Sequence, residues 1–213
     1  MQIDLDLLER WLAGWSLARG LPLPVRRAGG LVVEVGWPEQ LRRHVFVDAG
    51  SALRECAAGI QEPFVYLKAA VAAEQLRRAL PTQWTIETPR YLMHCTAPMA
   101  VRAVLPAGYT VRVDVEHGAQ VVRIMDAAGD LAAIGSVVLQ RDTAVFDRIE
   151  TVAAHRRRGL GVAVLATLDG LAQHGGATER LLVATAAGRA LYEHLGWHVL
   201  APYSTAVLAM PPG

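Results

Sequence analysis

The sequence predicts a mixed α/β (α+β) fold: a largely antiparallel sheet carrying a parallel pair at a helical crossover, preceded by a smaller α/β half. Three observations predict it. Residues 1–95 alternate helix-like and strand-like stretches, residues 109–152 hold four strand-like stretches joined by tight turns, and residues 144–210 read strand, helix, strand, helix, strand.

The chain opens with Leu5, Leu7, Leu8, Trp11, Leu12 and Trp15 at helical spacing behind Asp4, a capping residue, and Gly20 with Pro22 ends that helix. Residues 31–35 and 43–47 read as strands around the Gly36-Trp37-Pro38 turn. Ser51 is positioned to cap a short helix through Ala58, followed by a buried strand at 64–71, a helix at 74–80 and a strand at 84–93. Pro98 and Pro106 mark the boundary between an N-terminal region, 1–95, and a second domain, 96–213. There, strands at 109–115, 120–125, 131–139 and 144–152 are separated by turns at His117-Gly118, Ala128-Gly129-Asp130 and Arg141-Asp142. A helix at 160–173 stops at Gly175-Gly176. A strand at 180–184, a helix at 189–195 ended by Gly196, and one or two strands over 197–210 complete the chain.

Composition narrows the function. The chain has 213 residues, 21 basic and 20 acidic, a net charge of +1, and 53% hydrophobic residues. That hydrophobicity excludes a disordered chain, and the balanced charge gives no global attraction to nucleic acid or an anionic membrane. Lys68 is the only lysine; arginine and alanine dominate elsewhere, as in a GC-rich bacterial genome. Cys56 and Cys95 fit no CxxC or Cys/His ligand spacing and read as free thiols, with no metal expected. Asp4, Asp6, Glu9 and Arg10 interrupt the N-terminus, unlike a signal peptide, and no window approaches a membrane span. A cytoplasmic protein without nucleic-acid or membrane partners is expected.

The stretch that carries chemistry is Glu150 to Gly161, where a strand enters Arg156-x-x-Gly159-x-Gly161 and a long helix begins. Glycines there remove Cβ atoms, so consecutive backbone N–H groups can converge on one anion at the positive end of the helix. The spacing predicts a phosphate cradle, with the Arg156, Arg157 and Arg158 side chains available for further phosphate oxygens. It is neither the six-residue dinucleotide fingerprint nor a Gly-Lys-Ser/Thr phosphate loop. The plain alternative is a solvated cationic run ahead of a helix. Nucleic-acid binding through the same arginines lacks interleaved aromatics.

A second segment, Thr185 to Trp197, follows at a set distance. Together the two resemble the GNAT superfamily of acyl-CoA-dependent N-acyltransferases. The family's Arg/Gln-x-x-Gly-x-Gly/Ala motif is matched by Arg156, Gly159 and Gly161; its later pattern is matched at Leu191, Tyr192, Leu195 and Gly196. Thr185 stands where the family has Asn, Gly188 where it has Ala, and Trp197 replaces its aromatic. The resemblance covers roughly residues 109–208. Residues 115–120 leave no room for the family's acceptor-wall helices, so residues 1–95, read as a degenerate GNAT-like half, are expected to supply that wall.

The resemblance implies transfer of an acetyl group from acetyl-CoA, as co-substrate, to an amine of a small molecule or peptide by direct attack in a ternary complex. It implies that the strand ending in Thr151 splays from its parallel neighbour, freeing backbone near Ile149 and Thr151 for the pantetheine arm. The N–H groups of Arg157, Arg158, Gly159, Leu160, Gly161 and Val162 would hold the pyrophosphate, with Thr185 and Arg189 beside the cofactor. Tyr192 would protonate the departing thiolate; a phenol with an ordinary pKa near 10 keeps its proton at neutral pH. The alternative for Leu191 and Tyr192 is simple helix core.

A general base is required because the amine is largely protonated at pH 7. Asp147 and Glu150 are the carboxylate candidates; three apart on a regular strand they face opposite sides unless a bulge intervenes. Glu150 is alternatively a partner for Arg148 or Arg156, and His155 and His198 are further candidates. The competing function is a non-catalytic acyl-CoA-binding regulatory module. If the chain forms a homodimer, the strand at 203–208 is the candidate edge.

Overall fold

The computed structural model describes residues 3–99 and 104–209. The first region runs α1 (Leu5–Leu17), β1 (Val25–Arg27), β2 (Gly30–Trp37), β3 (Gln40–Phe46), α2 (Ser51–Gly59), β4 (Val65–Ala69), α3 (Ala73–Ala79), β5 (Trp84–Ile86) and β6 (Arg90–Cys95). The second runs β7 (Thr110–Glu116), β8 (Ala119–Met125), β9 (Leu131–Gln140), β10 (Thr143–Thr151), a 3-10 turn (Ala153–His155), α4 (Leu160–His174), β11 (Glu179–Thr185), α5 (Ala186–His194) and β12 (His198–Leu208). One sheet orders the strands β1-β2-β3-β4-β12-β6-β11-β10-β9-β8-β7, with β5 also beside β12.

The mixed, mostly antiparallel sheet expected from the sequence is present, with two parallel pairs. β3 pairs with β4 and β10 with β11, joined by α2 and α4, because parallel neighbours need a crossover. β3-α2-β4-α3-β5/β6 therefore repeats the order β10-α4-β11-α5-β12. The repeats interleave: β6 lies between β11 and β12, and the end of β12 lies between β4 and β5. The strands before and after the expected boundary share one sheet, β6 being bonded to both β11 and β12.

Three sequence expectations are corrected. The strand expected over 84–93 breaks into β5 and β6 around Glu87-Thr88-Pro89, where Pro89 has no N–H for the ladder. Gly50, not Ser51, occupies the N-cap of α2, because the Asp48 side chain accepts from the Gly50 N–H at 2.7 Å and closes the turn one residue earlier. The segment 203–208 is no edge: β12 is bonded to β4, β5 and β6. Among the described residues the edges are β1, β7 and the short β5, which is bonded to β12 alone.

α1 forms as expected, with the Asp4 carboxylate accepting from the Leu7 N–H at 2.8 Å. Its buried face, including Leu7, Leu8, Trp11, Leu12 and Trp15, packs with Leu31, Val33, Val45 and Val145, each side chain contributing about 1.5–3 kcal/mol. A Cβ at Gly14 would sit 2.5 Å from the Val145 Cβ, so glycine alone permits this close approach of α1 to β10. The opposite face of the sheet is covered by α4 and α5 over one half and by α2 and α3 over the other. No helix among the described residues is long and apolar enough to cross a membrane.

Candidate active site

The turn after β10 fits a phosphate. Arg157 has φ +58° and Gly159 φ +79°, and Gly159 is the N-cap of α4 with no side chain capping it. The first backbone N–H of this segment to find a carbonyl is Ala163, bonded to Gly159 at 3.0 Å. Arg157, Arg158, Gly159, Leu160, Gly161 and Val162 thus present six N–H groups with no acceptor among the described residues. Such a run at a helix N-terminus is an anion cradle. Gly159 is needed for its left-handed φ.

Two arginines of the run bond within the chain in different ways. Arg156 folds back, its Nε donating to the Thr151 carbonyl at 3.3 Å. Arg158 donates to the Tyr109 hydroxyl at 3.0 Å, and Tyr109 in turn meets His155 Nδ1 at 2.9 Å. Asp126 lies 3.7 Å from the other His155 nitrogen. His155 is thereby committed to a network beside the cradle. His198 stacks near His94, ring centroids 5.9 Å apart, on β12.

β10 and β11 pair only through Thr143–Val145 and Glu179–Leu181, then diverge, β11 continuing along β6. The splay opens a cavity of about 290 Å³ lined by Phe146, Asp147, Ile149, Val183, Thr185 and Tyr192 among others. Side chains alternate along a strand, so Phe146 faces the α4 side while Asp147 shares the α1 side with Val145. The slot passes between the two faces of the sheet.

Tyr192, 7% exposed, sits in this slot. Burial, with a smaller contribution from the Asp147 charge, pushes its phenol up to about 12. It keeps its proton throughout the neutral range. Trp197 fixes it: the indole packs edge-on to Tyr192 and Phe146, centroids 5.9 and 5.4 Å away, and donates to Met99 Sδ at 3.2 Å. Thr185 caps α5, its hydroxyl accepting from the Gly188 N–H at 3.1 Å. That is the capping work an Asn does equally well. Arg189 is exposed, bonded to Glu193 at 2.7 Å and stacked over Tyr91 at 4.7 Å.

A bulge in β10 lies between the two carboxylate candidates and brings both to the same side of the sheet, opposite Ser136 and Ile134. Asp147 pairs with Ser136 and Glu150 with Ile134, so one extra residue is accommodated, with Arg148 at φ +54°. Ile149 lies within the bulge and lines the slot, and Thr151 lies beyond it, paired with Ala133. Glu150 is exposed and pairs with neither Arg148 nor Arg156 among the described residues. Asp147 is ion-paired with Arg19, just beyond α1, and lines both the slot and a second cavity of about 310 Å³ under the end of α1.

That second cavity carries groups to which no sequence motif gives a functional role: Arg19, Arg43, Lys68 and Arg90 with the aromatic rings of Trp15 and Tyr203. All come from the first region except Tyr203. One sequence signal existed, the chain's single lysine inside an apolar strand. Among the described residues no three His, Cys, Asp or Glu side chains cluster as metal ligands do.

The chain matches no protein-family model and no curated protein. Among solved structures it is similar to a GCN5-related N-acetyltransferase from Kribbella flavida, at 18% identity and TM-score 0.66, covering 100% of this chain and 97% of that one. It is also similar to one from Sphaerobacter thermophilus, at 14% identity and TM-score 0.61, over 87% and 78% of the two chains. A tandem GNAT protein from the clavulanic acid biosynthesis pathway matches at 16% identity and TM-score 0.55, over 75% and 68%. At these identities the likeness is one of architecture, and the chain has the fold of the GCN5-related N-acetyltransferases.

Proposed function

We propose that this protein transfers an acetyl group from acetyl-CoA to the amine of a small molecule or peptide by direct attack in a ternary complex. The observation that carries the reading is the run of six free backbone N–H groups, Arg157 to Val162, at the start of α4, together with a slot between the diverging β10 and β11 that contains a buried phenol, Tyr192. When bound, acetyl-CoA supplies an activated thioester carbonyl. The cradle residues hold the pyrophosphate, and the edges of β10 and β11 left unpaired by the splay hold the arm that threads the slot. The amine nitrogen attacks the carbonyl carbon, the carbon–sulfur bond breaks, and the Tyr192 hydroxyl gives its proton to the leaving thiolate. Asp147, on the α1 side of the slot, takes the amine's proton directly or through water. Glu150, exposed on the far side of the bulge, is the weaker base candidate. The repeated strand-helix order of residues 1–95 supports their reading as a degenerate second copy that walls the acceptor site.

The test is release of CoA thiol in the presence of an amine panel. Amine-dependent release that falls at least tenfold in Tyr192→Phe supports catalysis. Saturable acetyl-CoA binding without release for any amine would favour a non-catalytic acyl-CoA-binding module.

A further inference from the structure

The cavity under α1 is dominated by positive charge that the protein itself leaves unmatched. Arg43 on β3 and Lys68 on β4 are each 7% exposed and point into it from the α1 face of the sheet. Lys68 donates to the Thr205 hydroxyl at 2.8 Å, and Arg43 stacks over Trp15, 3.6 Å from the ring centroid, its Nε and Nη2 both donating at 3.0 Å to the neutral Gln40 amide oxygen. No carboxylate among the described residues lies within 4.0 Å of Arg43, Lys68 or Arg90. Glu87 lines the cavity without pairing, and Asp147 is taken by Arg19. Four cations therefore face two carboxylates, one of them already engaged.

Two neighbouring buried cations without a counter-ion are costly, and burial lowers the pKa of both, Arg43 to about 10. Buried charges are ordinarily paired, and here the missing member is an anion. The CoA pyrophosphate is not that member, because its cradle opens at the start of α4, which covers the opposite face of the sheet from α1. The amine end of an acceptor belongs at the shared border of the two cavities, beside Asp147 and Val183. The rest of the acceptor extends toward Arg43 and Lys68.

Resting on the acetyltransferase reading, we propose that the acceptor is an amine that itself carries a carboxylate or phosphate, seated on Arg43 and Lys68 beside Trp15. A cavity of about 310 Å³ suits a compact metabolite of this kind, at the small end of ligand pockets. Polycationic amines are excluded by the same charges.

The test uses the full-length protein with acetyl-CoA and matched acceptors: L-amino acids, their primary amides, 2-aminoethyl phosphate, uncharged-headed alkylamines and spermidine. The expected result is thiol release with a carboxylate- or phosphate-bearing amine at a kcat/KM at least 50-fold above its uncharged counterpart. The amino-acid and phosphate arms tell the two anions apart. Lys68→Met should raise that acceptor's KM at least tenfold with kcat changed less than threefold; Arg43→Gln is the second variant should Lys68→Met not fold. Equal or faster turnover of amides, alkylamines or spermidine would overturn the proposal.

A readout without turnover is the melting temperature in acetate or inorganic phosphate against chloride at fixed ionic strength. The anions should stabilise the wild type by several degrees and Lys68→Met by less than one. No difference between the two proteins would overturn the proposal even if acetyl-CoA binds, leaving the acetyltransferase reading intact. Failure to bind acetyl-CoA with the anion effect preserved would reject that reading instead.

Discussion

Arg19, two residues beyond α1, forms an ion pair with Asp147 at the bulge of β10, and both side chains line the two cavities that meet there. A residue from the start of the chain thus orients the carboxylate nearest the slot. Arg19→Met should raise the acceptor KM about tenfold and leave acetyl-CoA affinity unchanged. Because it strands a largely buried carboxylate, it should also cost ~1–3 kcal/mol of stability, measured by denaturant unfolding.

Tyr192 is tested by kinetics and by pH. Tyr192→Phe should lower kcat about 10²-fold with the acetyl-CoA KM within threefold, the signature of a lost proton donor rather than lost binding. Because burial pushes the phenol up to about 12, Tyr192 produces no alkaline loss of rate below about pH 11.

The alkaline limb should come from the acceptor pocket. Burial and the field of Arg43 hold Lys68 well below the ordinary lysine value, with Arg90 adding to the lowering and Glu87 opposing it. A lysine loses its charge as pH rises, so the KM of an anionic acceptor should climb through the alkaline range, and Lys68→Arg should shift that rise upward. The folded protein also holds this proton less tightly than the unfolded chain. Lys68→Met should therefore raise the melting temperature at neutral pH, and the gain should fade as pH climbs toward 10.5.

Trp197 supports the donor through packing. Its removal leaves a void against Phe146 and Tyr192, so Trp197→Ala should destabilise by about 3–5 kcal/mol and lower kcat more than it raises either KM. Thermal unfolding with parallel steady-state kinetics checks both effects.

Local patterns made much of this legible in sequence. The apolar spacing from Leu5 to Trp15, the turn glycine at 159 and the strand-helix-strand run around α4 all encode geometry within a few residues of themselves. What was not legible depends on partners far apart in sequence. The insertion of β6 between β11 and β12 joins residues about a hundred apart, and nothing in Arg90–Cys95 alone specifies those neighbours. The bulge after Asp147 is marked by no glycine or proline, only by Arg148 at positive φ. Lys68 was visible as the lone lysine, but its burial beside Arg43 follows from the parallel pairing of β3 and β4.

Whether the turn into α4 holds acetyl-CoA is tested by calorimetric titration of acetyl-CoA into the wild type and a Gly159→Glu variant. The substitution forces a side chain into a left-handed backbone position, at about 1–2 kcal/mol, and sets a negative charge at the mouth of the cradle. Circular dichroism confirms that both proteins are folded. Saturable one-site heat for the wild type, lost in the variant, is the predicted result. A folded wild type that gives no saturable heat, or a variant that binds equally well, would contradict it.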